Sequence, residues 1–201
     1  MLDLATLLPL EEGPARTAAL VAWVQGLFPD PRSAPVLVGG AAVELYTGGA
    51  YTSGDLDFVG VIPARVERRL VEAGFTRRGR HWVHEAGQLF VEFPSSALAP
   101  GEMSVLVRFG ELEVLVVSPE DLLVDRLGAW QHWRSSQDGV NALLLYRAQR
   151  SVLDRKRLRA RAEAAQCGPA LASLLAFARR QPRAGPSPAA LERWAWRDPC
   201  A

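Results

Sequence analysis

The sequence predicts an α/β (α+β) fold, a mixed β-sheet with flanking helices, followed by a C-terminal helical region. Three observations carry this reading. Short apolar runs rich in β-branched residues alternate with helical stripes through the first half, Pro and Gly punctuate the joints, and helix formers dominate from Ser118 onward. The expected organisation is an α/β domain with N-terminal helices over 1–117 and a helical region over 118–201 packed on it.

The elements follow in order. Over 15–28, Leu20, Trp23, Val24, Leu27 and Phe28 form a helical stripe, with Pro14 at a first-turn position and Pro29-Asp30-Pro31 as the stop. Pro35-Val36-Leu37-Val38 reads as a strand that ends at Gly39-Gly40, and 41–46 has helix-forming composition. A Gly-rich loop, 47–54, precedes Asp55-Leu56-Asp57-Phe58-Val59, whose polar–apolar alternation predicts a half-buried strand. Pro63 opens a helix that Gly74 closes. Strands are expected over 80–84, 89–93, 105–109 and 112–117, the last two joined as a hairpin at Gly110-Glu111. Ser118-Pro119-Glu120-Asp121 has the chemistry of a helix start, 119–164 contains little but helix formers, and 169–180 reads as another helix. The stretch 181–189 is rich in Pro, Gly and Ser, and no solenoid-type repeat is found.

Composition narrows the function classes. The 201 residues are 49% hydrophobic and 22% charged, proportions that can build a core and that exclude wholesale disorder. The 23 Lys+Arg against 22 Asp+Glu leave a net charge of +1, so no global field points to nucleic acid or membrane. Cys167 and Cys200 are too few for a disulfide framework or a structural zinc site. With no basic leader and no bilayer-length apolar run, the expectation is a soluble, cytoplasmic protein without a membrane partner.

Three features carry chemistry. Asp55 and Asp57, two apart on a strand, leave by the same face. Carboxylates held together repel unless a cation joins them, and hard oxygen ligands suit Mg²⁺ or Mn²⁺. A pair of solvated surface acids would look the same in sequence. Gly39-Gly40, between strand and helix, lets backbone N–H groups approach an anion at a helix N-terminus, although an ordinary tight turn has the same composition. Glu92 stands among large apolar residues in Leu89-Phe90-Val91-Glu92-Phe93, where either a functional role or a wet alternate face accounts for it.

In this order the three features resemble the nucleotidyltransferase superfamily that includes DNA polymerase β, CCA-adding enzymes and antibiotic nucleotidyltransferases. That family's signature is an apolar strand, Gly-Gly or Gly-Ser, a short helix, an Asp-x-Asp or Asp-x-Glu, and a third acid on a later strand. Here it reads Val36-Leu37-Val38-Gly39-Gly40, then Asp55-Leu56-Asp57-Phe58, then Val91-Glu92-Phe93. The resemblance covers about residues 35–117. It extends loosely to Arg126 and Asp138, which look like the basic and acidic positions of the helix following the sheet in minimal nucleotidyltransferases and related toxin–antitoxin toxins. Two departures stand out: fourteen residues separate Gly40 from Asp55, slightly more than usual, and Arg126 stands where related toxins often carry Lys.

The resemblance implies a Mg²⁺- or Mn²⁺-dependent transfer of a nucleoside monophosphate from a nucleoside triphosphate such as ATP to a hydroxyl on a small molecule, RNA or protein. Asp55, Asp57 and Glu92 would be the catalytic, metal-binding acids; Gly39, Gly40, Thr52, Ser53 and Arg126 would contact the nucleotide's phosphates. The alternatives are an inactive binding or regulatory module on the same fold, with a protein partner or a second copy as its ligand, and the toxin of a toxin–antitoxin pair. Glu44 is expected on the exposed side of its short helix.

Other features read as structural. Arg147, Arg150, Arg157 and Arg161 recur at helical spacing, with Arg155, Lys156 and Arg159 among them; a phosphate-binding stripe and a solvated helix face are both consistent with this. His81 and His84, three apart on a strand, fall on opposite faces and share no metal, and His132 sits on a helix. Trp130, Trp133, Trp194 and Trp196 suggest aromatic packing in the helical half. Nothing cationic and local would activate Cys167.

Overall fold

The computed structural model describes residues 2–182, 185–197 and 199, so Cys200 lies outside the described residues. The chain divides into two compact units, Met1–Ser118 and Pro119–Ala201.

The first unit holds α1 (Leu4–Leu7), α2 (Pro14–Gly26), β1 (Val36–Val38), α3 (Gly39–Thr47), β2 (Asp55–Val59), α4 (Ala64–Glu72), β3 (Thr76–Arg78), β4 (His81–His84), β5 (Leu89–Ser95), β6 (Ser104–Phe109) and β7 (Leu112–Val117). Its seven strands form one mixed sheet in the order β3-β4-β5-β2-β1-β7-β6. β1 runs antiparallel to β2 and parallel to β7, and β2 runs parallel to β5. This is the mixed sheet the sequence predicts. Two elements are additional. β3 pairs with β4 across Gly79, whose φ of +64° is the left-handed conformation that glycine adopts without strain. Its residues Thr76, Arg77 and Arg78 are all exposed, so no apolar alternation marks them as a strand. α1 is a single turn, capped by the Asp3 side chain accepting from Ala5 N–H.

Alternation places the core. Leu56, Val91 and Trp82 are register partners across β2, β5 and β4, and all three are buried. Phe58, fully buried, stacks on Phe93 with centroids 5.7 Å apart. Because the side-chain period is two, that apolar row commits Asp55, Asp57 and Glu92 to the opposite face. Pro94 cannot donate to the ladder, and the β2–β5 register shifts just beside it, between Asp57 and Val59. The shift falls beyond the Asp57–Glu92 partnership and leaves it intact.

The second unit contains α5 (Pro119–Trp133), α6 (Ser136–Gln149), α7 (Arg155–Ala164), α8 (Gly168–Arg180) and α9 (Pro188–Ala195). The run 119–164 is therefore three helices, and the Arg-rich segment breaks between α6 and α7, where Asp154 caps α7 by accepting from the N–H groups of Lys156 and Arg157. The core is built on Leu122, Leu123, Leu127, Leu143, Leu145 and Leu174 around an aromatic cluster. Trp194 lies 4.5 Å from Trp130 and 4.7 Å from Phe177, centroid to centroid, and Trp130 Nε1 donates to the Ala195 carbonyl. Trp133 and Trp196 remain exposed, so the expected packing involves half of the four tryptophans. Among the described residues no helix is long and apolar enough to cross a membrane.

Candidate active site on the sheet

The site is assembled where β1 ends and α3 begins. Val38 is the N-cap of α3, and Gly39 and Gly40 are its first two residues, so the diglycine is the helix N-terminus itself rather than a separate turn. Gly39 has a φ of +67°, which a side chain would strain. Space also forbids a side chain there: a Cβ on Gly39 would stand 2.3 Å from Asp57 Oδ2, and one on Gly40 would stand 2.7 Å from Ser53 Oγ. The two glycines are thus in contact with the acid and the hydroxyl that the sequence grouped with them. Unpaired N–H groups of a helix's first turn present partial positive charge at this point.

One row of register partners crosses four strands: Val38 on β1, Asp57 on β2, Glu92 on β5 and His81 on β4. Neighbouring partners on the same face have Cβ atoms about 5 Å apart, which brings Asp57 and Glu92 side by side. Asp55 lies one side-chain repeat along β2, exposed, opposite Phe90. Ser53 Oγ donates to the Asp55 carbonyl at 3.1 Å, tying the preceding loop to the strand. Thr52 is exposed at the same loop.

Glu92 is not a bare carboxylate. Arg80 Nε lies 2.6 Å from its Oε1, and His81 Nδ1 lies 3.3 Å from its Oε2. Both fall in the strand expected over 80–84, and β4 begins at His81. The signal for His81 was its alternation with Trp82, which puts it on the polar face, but its partnership with Glu92 needs the β4–β5 register. Among the described residues no group of three His, Cys, Asp or Glu side chains converges as a metal cage. Carboxylate oxygens are the donor type that a hard divalent cation takes, and Asp57 stands against the glycine cradle.

Glu44 corrects an expectation. It is not on an exposed side of α3 but 1% exposed, accepting at 3.0 Å both from Thr17 Oγ1 on α2 and from Ser53 N–H. A buried carboxylate needs such donors, and here they anchor the 47–54 loop that leads into Asp55. Glu44, Ser53 and Thr52 line a cleft of about 180 Å³ together with Arg16 and Gln88.

Arg126 belongs to the second unit. Its guanidinium pairs with Asp138 at 2.8 Å and with the neighbouring Asp125. The Arg126–Asp138 spacing noted in sequence is therefore an ion pair between α5 and α6. The first-turn acids of α5 are likewise committed: Glu120 accepts from Asp154 N–H at 2.7 Å, and the carboxylate of Asp121, with none of its side chain exposed, is clamped by Arg157 and by Arg161 Nε at 2.7 Å. Cys167 is buried, and loss of hydration raises its thiol pKa from 9.0 to about 11.

No protein-family model matches the sequence, and no curated protein matches it. Among solved structures, the chain is similar to an antigenic nucleotidyltransferase-like protein from Paracoccidioides brasiliensis, at a TM-score of 0.53 and 15% sequence identity, covering 80% of this chain and 92% of that one. The fold is nucleotidyltransferase-like.

Proposed function

We propose that this protein is a nucleotidyltransferase, transferring a nucleoside monophosphate from a nucleoside triphosphate to a hydroxyl acceptor. The observation that carries the reading is the contact between cradle and acid: the space a Gly39 Cβ would fill lies against Asp57 Oδ2. A triphosphate needs donors for its oxygens and a cation for its charge, and this corner of the sheet brings both kinds of group together.

Asp55 and Asp57 would hold Mg²⁺ or Mn²⁺, with Glu92 as the third acid. The ion would supply neutralisation of the triphosphate and of the departing pyrophosphate. Gly39 and Gly40 would offer backbone N–H groups to phosphate oxygens, and Ser53 Oγ, beside Gly40, would add a hydroxyl donor. Thr52 belongs to the same loop, and Arg126 would contact a phosphate only if its pairs with Asp125 and Asp138 open. Glu92 would accept the proton of the attacking hydroxyl once Arg80 and His81 release it.

The test is transfer of label from α-³²P triphosphates in the presence of Mg²⁺, comparing wild type with Asp57→Asn and Gly39→Ala. Transfer by the wild type, lost by at least about a hundredfold in Asp57→Asn, is expected for a residue acting on the transition state. Failure of the folded wild type to bind triphosphate with either metal would end the enzymatic reading. The hold of Arg80 and His81 on Glu92 favours a second reading, a non-catalytic binding module on the same fold. It predicts triphosphate binding without turnover, and an unchanged affinity in Glu92→Gln.

A further inference from the structure

The net charge of +1 conceals a segregation. Residues 1–118 carry nine Lys+Arg and fourteen Asp+Glu, whereas 119–201 carry fourteen and eight. Within the second unit Asp121 is paired with Arg157 and Arg161, and half-buried Asp138 and exposed Asp125 with Arg126, while buried Glu120 accepts from the Asp154 N–H. The surplus has to lie elsewhere, and much of it gathers at one place. Arg150, Arg155, Arg159 and Arg179 line a single cavity of about 90 Å³ formed by the end of α6, the start of α7 and the end of α8. All four are exposed, and no ion pair or hydrogen bond engages any of their guanidinium groups among the described residues. Like charges gathered without counterions repel, an arrangement that a bound polyanion would relieve.

The floor of that cavity is apolar, made by Leu158, Leu171 and Leu175, with Tyr146 at its wall. We propose that this arginine-rimmed cavity binds single-stranded nucleic acid, the guanidinium groups taking consecutive phosphates and the apolar floor with Tyr146 receiving a base. A strand carries a phosphate at each nucleotide and a flat, largely apolar base beside it, which matches a charged rim around an apolar centre. Planar guanidinium forks suit phosphate oxygens better than ammonium groups do. An acidic peptide offers nothing flat for the floor. A lipid surface would need a broader apolar face than Val152, the exposed large hydrophobic residue of this segment. The proposal does not depend on the acids of the sheet being catalytic.

The experiment is fluorescence anisotropy of labelled single-stranded RNA and DNA 12-mers with the full-length protein, without triphosphate or divalent metal, from about 50 to 200 mM salt. The wild type should bind at low salt. The combined Arg155→Gln, Arg159→Gln and Arg179→Gln variant should weaken binding at least about tenfold, and its log–log salt slope should be shallower by about 2, near 0.7 per lost phosphate contact. Its melting temperature should be unchanged, since the three side chains hold no partner. Arg65→Gln with Arg68→Gln, on exposed arginines of α4 in the other unit, should leave binding intact. Should the triple variant melt early, the triple Arg→Lys variant replaces it, expected to keep the salt slope but bind several-fold more weakly. The proposal is overturned if the wild type binds neither strand at low salt. It is equally overturned if the control pair weakens binding as much, or if polyglutamate or phosphatidylserine vesicles displace the strand at equal charge.

Discussion

In the sheet unit, acids stand on an open face: Asp55 is exposed, Asp57 lies against a glycine cradle, and Glu92 is held by residues at the sheet's polar row. In the helical unit the reverse holds, with Asp121 sealed between two arginines while cations occupy the surface. The contrast teaches how the two uses of charge can be told apart. An acid whose partners are complete and whose side chain is dry serves stability, because removing it strands its partners. An acid left wet on a rigid strand contributes little to folding and is available for a ligand.

Substitutions can break or sharpen that contrast. The largest loss is expected for Asp121→Ala, about 3–5 kcal/mol of unfolding free energy, because two partly buried guanidinium groups lose their counterion; urea denaturation measures it. Glu44→Ala should cost about 3 kcal/mol in the same assay, since the Ser53 N–H and the Thr17 hydroxyl both lose their acceptor. Like Asp121 it is buried with its acceptor oxygens engaged, and loop 47–54 should become protease-sensitive in the variant.

A smaller effect is expected from pH. The Cys167 thiol has its folded pKa raised from 9.0 to about 11, so the unfolded chain loses its proton first as pH rises. The stability it contributes is complete below pH 9 and declines as pH climbs through about 11. The stability difference between wild type and Cys167→Ala should therefore shrink from pH 8.5 to 11, and a pH-independent difference would refute the burial argument. The smallest change is expected for Asp55→Asn, within about 0.5 kcal/mol of wild type, as befits an exposed side chain. Its effect should fall on metal and triphosphate binding instead, measured by calorimetry. A large stability loss there would make Asp55 a structural acid and erase the distinction drawn between the units.

Much of the sheet unit was legible before its structure. The strand at Val36–Val38, the helix after it, the strand at Asp55–Val59 and the hairpin at Gly110-Glu111 are announced by alternation and by Gly and Pro at the joints, which act over a few residues. β3 was not, because a two-sided exposed edge strand has no apolar period to detect. Glu44 was misplaced for a related reason: a carboxylate on a short helix looks solvent-facing until Thr17 and the 47–54 loop close over it.

The chain's own order determined that two acids leave β2 by one face and that a diglycine ends the strand before α3. Both follow from local geometry, the two-residue period of a strand and the conformational freedom of glycine. Only the tertiary structure decided that Val38, Asp57, Glu92 and His81 form one row, that Asp57 abuts Gly39, and that Arg150 at the C-cap of α6, Arg155 and Arg159 on α7 and Arg179 on α8 line one cavity. Strand register and helix packing join residues tens of positions apart, and they are set by which apolar faces bury together, a property of the whole core rather than of any segment.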